Sequence, residues 1–314
     1  MQQPTYRRTP RLYTSLPTPY QRRQWHRRRL GCVLGCALMI LAPLGCLSVF
    51  LLGYILLPPD PIDIVILGVD ARPGQGVVTR TDSFMVLNVT PGRGKVSLLS
   101  IPRDVFIKVP GYGEQRINTI NVLGEQENPG VGGPALVKAS LQESFGISVE
   151  RYIRLDFNGF IALIDAVGGI DIEVPKRIVD YEYPALEGGT ITIEFQPGRQ
   201  HMDGERALQY ARTRHQDDDY RRAERQQQVV DALVKKLSDP RSIVRWPLVL
   251  EAIFSHTDTD LTVWDVATMA PALAVGWSSR DARVIDRPDL VGMSGGYAVP
   301  NYDQLLPWIS ERFD

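Results

Sequence analysis

Residues 83–101 read SFMVLNVTPGRGKVSLLSI. Ser83–Val89 and Lys95–Ile101 are short apolar runs rich in branched side chains, and Pro91-Gly92-Arg93-Gly94 between them is turn chemistry, so the pair reads as an antiparallel hairpin. Upstream, Ile62–Val69 (IDIVILGV) is continuously apolar at strand length and ends at Asp70, the pattern of a strand covered on both faces. Asp82 stands just before the second strand, and Pro102-Arg103-Asp104 follows the third. Antiparallel neighbours run in opposite directions, so the spacing predicts that Asp82 and Arg103 meet at one edge of the sheet. Asp70 joins them if the first strand lies alongside. Gly92-Arg93-Gly94-Lys95 lacks the spacing and the following helix of a phosphate-binding loop, which leaves it as the hairpin turn.

Outward from this hairpin, helical and extended patterns alternate. Pro134–Phe145 has helical spacing and stops at Gly146; Arg151–Phe157 reads as a strand; Phe160–Ala166 reads as a helix ended by Gly168-Gly169; Ile170–Val174 is again a strand. Tyr181–Phe195, with Gly188-Gly189 inside it, reads as a peripheral hairpin. Val229–Leu237, Ile243–Phe254 and Val263–Val275 read as helices, the last opened by Thr262 and Asp265 at capping-box spacing. The expected fold class is α/β, an α-β-α sandwich around a central mixed sheet, in one domain over residues 58–314.

Charge is distributed unevenly. Residues 1–29 contain eight Arg and no Lys, Asp or Glu; of 35 basic and 36 acidic residues in the chain, 27 and 36 remain beyond them. Leu30–Leu57 then holds 28 residues without a charge, long enough at about 1.5 Å per helical residue to exceed a hydrocarbon core of about 30 Å. It exceeds the apolar core of a signal peptide, and Pro58-Pro59 is a poor cleavage context. The expectation is an Arg-rich disordered cytoplasmic tail (1–29), a single transmembrane helix (30–57) and an extracytoplasmic domain (58–314), oriented by the positive-inside rule at the cell membrane. All three cysteines, Cys32, Cys36 and Cys46, fall within the expected span, so disulfides and thiol catalysis are excluded from the domain. The tail is too short and structureless for a DNA-binding domain, and no nucleic-acid partner is expected.

One stretch concentrates charge of both signs: Asp203–Gln228, DGERALQYARTRHQDDDYRRAERQQQ, with six Arg beside Asp217, Asp218 and Asp219. Ala207–Ala211 reads as a short helix, His215–Asp218 as a polar break and Asp219 onward as a second helix with acid in its first turn. Arg222 and Gln226 are four apart and share a face that continues through Val229, Val230 and Leu233. Arg212 and Arg214 leave on one side if the backbone there is extended. A half-ring of guanidinium groups suits phosphate oxygens, which forked donors hold bidentately. A salt-bridged pair of surface helices fits the same residues. There is no G-x-S-x-G or H-E-x-x-H motif, and the four histidines lack zinc-ligand spacing; for His201 and His215 local hydrogen bonding is the simpler reading. What remains is carboxylates with arginines, the requirement of a phosphate or pyrophosphate bound with Mg²⁺.

Taken together, LGVDAR (67–72), RTDSFMVL (80–87), SIPRD (100–104), RIN (116–118), DAVGGIDIEV (165–174) and DGERALQYARTR…D-x-x-R-x-x-RQ (203–226) resemble, in this order, the LytR-CpsA-Psr family of bacterial cell-envelope proteins. The match covers about residues 62–237, leaving a C-terminal helical part, 238–314, without a role. The resemblance implies that Asp70 and Asp82 hold Mg²⁺. It implies further that Arg72, Arg103, Arg212, Arg214, Arg222 and Gln226 bind the pyrophosphate of a polyprenyl-linked glycan, that Asp219 orients the arginines, and that an apolar pocket under the sheet takes the lipid chain. Asp82, Arg103 and Arg214 are then the catalytic candidates. Family members usually carry Lys where this chain has Arg116, and the break between Arg214 and Asp219 is compact. The expected function is a membrane-anchored, Mg²⁺-dependent phosphotransferase from a polyprenyl-pyrophosphate donor to a peptidoglycan acceptor. A pyrophosphatase using water, and a non-catalytic envelope regulator or binding protein, are the alternatives.

Overall fold

The structure, a computed structural model, describes residues 38–39, 41–71, 78–185, 188–213, 219–292 and 297–313, the side chains of 219, 220 and 292 excepted. The chain divides into two units, residues 1–57 and 58–314. In the first, residues 41–56 are helical (α1), with Leu41, Leu47, Val49, Leu52, Ile55 and Leu56 all exposed. Among the described residues no helix is long and apolar enough to cross a membrane. Residues 30–37 and 40 of the expected span lie outside the described residues.

The second unit opens with β1 (Ile62–Val69), β2 (Thr81–Thr90) and β3 (Lys95–Ser100), joined between β2 and β3 by a 3₁₀ turn at Pro91–Arg93. Gly94 closes that turn at φ 56°, a left-handed conformation that costs glycine nothing. There follow β4 (Phe106–Val109), β5 (Gly113–Arg116), α2 (Ile117–Glu127), α3 (Gly132–Phe145), β6 (Arg151–Leu155), α4 (Phe157–Ala166), β7 (Ile170–Val174), β8 (Ile178–Pro184), β9 (Thr190–Phe195) and β10 (Gly198–Met202). The chain continues through α5 (Gly204–Arg212), α6 (Asp219–Ser238), α7 (Trp246–His256), β11 (Asp258–Thr259), α8 (Val263–Gly276), β12 (Asp281–Val284), β13 (Leu290–Gly292), β14 (Ala298–Pro300) and α9 (Tyr302–Ser310).

The central sheet has six strands in the order β11-β6-β1-β2-β3-β12. β1 pairs antiparallel with β2 and parallel with β6, so the sheet is mixed. Its unbroken apolar strands are explained by what covers them. Val65, Leu67, Val86 and Leu99 pack under α2, α3 and α9 through Ile117, Ile120, Val137, Leu141 and Leu305. Ile64, Met85, Leu87 and Leu98 face the other way, toward Met269 and Ala272 of α8 and Val230 and Val234 of α6. Helices on both faces of a mixed sheet are the expected α-β-α layering. A third apolar cluster joins α4, α5, α6 and α7 to the β7–β10 ribbon and the β8–β9 hairpin.

Local chemistry fixes the helix ends that matter here. Asp156 accepts from the Gly159 amide at the start of α4, and Asp203 accepts from the Arg206 amide at the start of α5. Thr262 and Asp265 form the capping box of α8. Residues 238–314, expected as helical, also supply β11 and β12, the two outer strands of the main sheet. A strand of two residues and one of four leave too short a pattern for periodicity to register.

Candidate active site

β1 and β2 fall out of step at the end that carries the predicted carboxylates. Gly68 pairs with Ser83 but Val69 pairs with Thr81, so Asp82 is the extra residue of a β-bulge. A bulge leaves one residue outside the ladder and re-aims its side chain, and bulges are over-represented beside active sites. Asp70 follows directly, its amide bonded to the Arg80 carbonyl at 3.1 Å, so Asp70 and Asp82 stand at the same end of neighbouring strands. Arg103 arrives from the end of β3, as hairpin geometry requires. Its Nη1 donates to Asp82 Oδ1 at 3.1 Å, and its Nε lies 3.6 Å from Asp104 Oδ2. Arg116, the residue that opens α2, lies 4.0 Å from the other oxygen of Asp104.

Below this edge is an apolar cavity of about 110 Å³. Ile66, Gly68 and Met85 contribute from the sheet, Phe157 and Phe160 from α4, and Leu208 from α5; Asp82, Arg212 and Gln226 line the same space. Gly68 matters here because a Cβ on it would lie 2.9 Å from Ser83 Cβ, so a side chain would force the strands apart at the cavity wall. The volume is below the roughly 300 Å³ at which small-molecule pockets begin, so a chain ligand has to widen it or enter with only one end.

Arg212 is the last residue of α5, and its chain neighbour Thr213 is extended. The condition set for Arg212 and Arg214 to leave on one side, an extended backbone, is not met at Arg212: the amphipathic run of α5 carries helical geometry one residue further than the Ala207–Ala211 reading. The Arg212 guanidinium lies 4.0 Å from the Phe157 ring centre and donates from Nη1 to the Tyr183 hydroxyl at 3.0 Å. Burial raises the Tyr183 pKa, with Arg212 pulling the other way, so a neutral hydroxyl accepts this bond. On α6, Arg222 is 5% exposed and Gln226 lies one turn on, toward Val229 and Val230 at the cavity. Arg225 is equally buried but does other work: its Nη2 donates to the Thr213 carbonyl, while Thr213 Oγ1 donates to Asp180 at 2.8 Å. It ties α6 to the segment leaving α5.

Of the predicted residues, the structure brings Asp82, Arg103, Arg212 and Gln226 around one edge and one cavity, with Asp70 beside Asp82 and Arg222 a turn from Gln226. Arg72, Arg214 and the Asp219 side chain lie outside the described residues, as does the polar break His215–Asp218. His201 bonds to Asp171 at 3.0 Å, the local role expected of it. Phe157 and Tyr183, which hold Arg212, were not among the predicted site residues. Phe157, read as the end of a strand over Arg151–Phe157, instead opens α4 because Asp156 caps the helix there, and nothing in the pattern marked Tyr183.

The LytR_cpsA_psr family profile matches residues 56–280. The chain belongs to this family. Over 212 residues, 67% of this chain, it is 33% identical to the polyisoprenyl-teichoic acid--peptidoglycan teichoic acid transferase TagU of Oceanobacillus iheyensis, of which it covers 62%. It is 32% identical to the regulatory protein MsrR of Staphylococcus aureus over 64% of this chain and 56% of that protein. The match therefore spans somewhat less than two thirds of the length of these relatives. Among solved structures, B. subtilis TagV superposes at a TM-score of 0.65 over 80% of this chain and 96% of that one, at 24% identity, which is a likeness of fold. The profile runs past Leu237, through β11 and α8, and so takes in one of the two outer strands that the motifs alone did not reach.

Proposed function

We propose that this LytR_cpsA_psr protein is a membrane-anchored phosphotransferase that moves a glycan phosphate from a polyprenyl-pyrophosphate donor to peptidoglycan. The observation that carries this reading is that Asp82, Arg212 and Gln226 line the same cavity as Ile66, Met85, Phe157 and Leu208. A site with anion-binding groups at an apolar chamber suits a ligand that is part lipid and part phosphate. The name of the TagU relative, a transferase from a polyisoprenyl-linked polymer to peptidoglycan, supports the same pairing of substrates.

In this reading the acceptor hydroxyl oxygen attacks the sugar-proximal phosphorus. A new P–O bond forms, the bond to the bridging oxygen breaks, and polyprenyl phosphate leaves with that electron pair. Arg103 and Arg212 stabilise charge growing on the phosphate oxygens. The stack on Phe157 and the bond to Tyr183 pre-set the Arg212 guanidinium, so little side-chain entropy is lost on binding. Asp82 accepts the hydroxyl proton, directly or through solvent.

Asp70 and Asp82 are the residues that would hold Mg²⁺. Among the described residues no group of three or more acidic, His or Cys side chains could hold a metal by itself. Two hard carboxylates at one strand end fit Mg²⁺, which keeps waters and is bound through one or two carboxylates plus substrate phosphates. Bound there, the cation supplies charge neutralisation to the phosphates.

In this reading residues 30–57 are the membrane anchor, with residues 1–29 in the cytoplasm and 58–314 outside. Reporter fusions at residues 5 and 314 check this, and reversed signals overturn it. The function is tested with the full chain in detergent micelles, a lipid donor labelled in its glycan, Mg²⁺, and purified peptidoglycan. Label on peptidoglycan with release of polyprenyl phosphate is the expected result. Donor cleavage at the same rate without peptidoglycan makes the protein a pyrophosphatase, and no turnover of either kind makes it a binding or regulatory protein.

A further inference from the structure

Past Arg103 the charged edge runs into an aromatic step. Arg103 contacts Asp104, Asp104 contacts Arg116, and the Arg116 guanidinium lies 5.5 Å from the centre of the Phe106 ring. The Phe106 and Tyr297 ring centroids are 4.5 Å apart, with the planes at 52°. Tyr297 is nevertheless 46% exposed. Backbone geometry sets it there: Val105 and Ala298, the neighbours of Phe106 and Tyr297, form a parallel bridge, and β13 and β14 brace the segment. Neither ring lines the apolar cavity. A solvent-exposed tyrosine set against a second ring offers an apolar face with a hydroxyl at its rim.

Resting on the transferase reading above, we propose that Tyr297, seated on Phe106, is a subsite for a sugar ring of the polysaccharide acceptor. The cavity begins at Asp82 and takes the apolar end of the donor; the chain of contacts from Asp82 through Arg103, Asp104 and Arg116 ends at Tyr297. A pyranose ring has C–H bonds on its faces and hydroxyls at its rim, which matches an aromatic face bordered by polar groups. The charges nearest the rings, Arg116 and Asp104, are opposite in sign and lie 4.0 Å apart, so the step has no single-sign patch for a polyanion and suits a glycan strand. Seating one sugar at Tyr297 holds a neighbouring unit of the same strand toward the charged edge, so the step acts on the entropy of bringing acceptor and phosphorus together.

The test is direct binding of the full chain in micelles to short soluble peptidoglycan glycan strands, beside the transfer assay. Tyr297→Ala raises the Kd for the strands roughly 2- to 12-fold, as expected for loss of one aromatic stack. Tyr297→Phe keeps the ring and binds within about twofold of the unaltered chain, while Tyr297→Leu, which still packs on Phe106, binds as poorly as the Ala variant. In the transfer assay the acceptor KM rises by a like factor and the donor KM does not. Equal Kd values for the Leu, Ala and unaltered chains overturn the subsite, as does an equal rise in the donor KM. If the unaltered chain binds strands through Tyr297 but transfers nothing, the subsite stands and the transferase reading fails.

Discussion

Two arginine–carboxylate clusters in the domain use the same residue types for opposite ends. Arg154 on β6 is buried to 1% side-chain exposure; it meets Glu125 at 2.6 Å and Asn121 at 3.0 Å from Nη1, the Gly130 carbonyl from Nη2, and Asp258 at 2.8 Å from Nε. Glu125 in turn accepts from the Gly130 and Gly133 amides. Arg103 is 19% exposed, and its partner Asp82 is 33% exposed at a bulge. The first cluster has spent its donors on the protein. The second sits where solvent and a ligand can reach it, above an apolar cavity. Arginine count alone separates nothing; burial and the destination of each N–H do.

The largest effect should follow from breaking the buried cluster. Arg154→Ala leaves Glu125 buried and charged without its guanidinium partner and should cost about 3–5 kcal/mol. For a domain of this size that lowers the Tm by roughly 6–20 °C in calorimetry. A fall below about 2 °C would place Arg154 with surface ion pairs. The same cluster sets an acid limit. Burial by itself would raise the Glu125 pKa, but the hydrogen bonds from Arg154, Gly130 and Gly133 outweigh it and hold the group below its ordinary 4.5. A lowered folded-state pKa stabilises above the unfolded value and loses that contribution as pH falls through the folded one. Tm should thus fall as pH drops below about 4.5, and Glu125→Gln should flatten that part of the profile.

The exposed cluster should show the reverse pattern. Asp82→Asn should reduce transfer by about 10²–10³-fold, in the range seen on removing a single transition-state group. Its stability should change by no more than about 1 kcal/mol, because the lost pair with Arg103 is partly solvated. Parallel measurements of Tm and turnover on Asp82→Asn and Arg154→Ala make the contrast two-sided. Loss of fold in the first, or full activity in it at normal stability, breaks it.

What could be read beforehand follows the same division. The hairpin over Ser83–Ile101 placed Asp82 against Arg103 because strand direction is local information: two apolar runs and a Pro-Gly turn suffice. Thr262 and Asp265 announced α8 for a similar reason. Arg154 sits in RYIRL as an unremarkable strand residue, and its partners come from α2 and β11, 29 and 104 residues away, a pairing no periodicity carries. The close seating of α2 on α3 is of the same kind: a Cβ on Gly124 would stand 2.1 Å from the Gly132 carbonyl oxygen, yet glycines in a helical run read only as weak helix formers. The motif marked Arg212 as a candidate phosphate ligand, whereas its bed of Phe157 and Tyr183 depends on how α4 and β8 pack and could not be read from the chain.

The smallest effect tests whether that aromatic bed serves ligand binding or the fold. Arg212→Lys keeps the charge but removes the planar group that covers Phe157 and the Nη1 bond to Tyr183. If the stack serves stability, the variant melts lower with or without ligand and by the same amount. If it pre-orients a phosphate ligand, the difference appears only with donor present. A pyrophosphate-bearing lipid analogue at a hundred times its Kd stabilises the unaltered domain by about 2.7 kcal/mol. A tenfold weaker Kd in the variant at the same concentration leaves about 1.4 kcal/mol. At roughly 2–4 °C per kcal/mol, the ligand-induced rise in Tm should shrink from about 5–11 °C to about 3–6 °C, with the ligand-free Tm nearly unchanged. Equal ligand-induced shifts in the two chains would assign Arg212 to the structural cluster, alongside Arg154 and Arg225, and leave Arg103 and Arg222 to carry the phosphate among the described arginines.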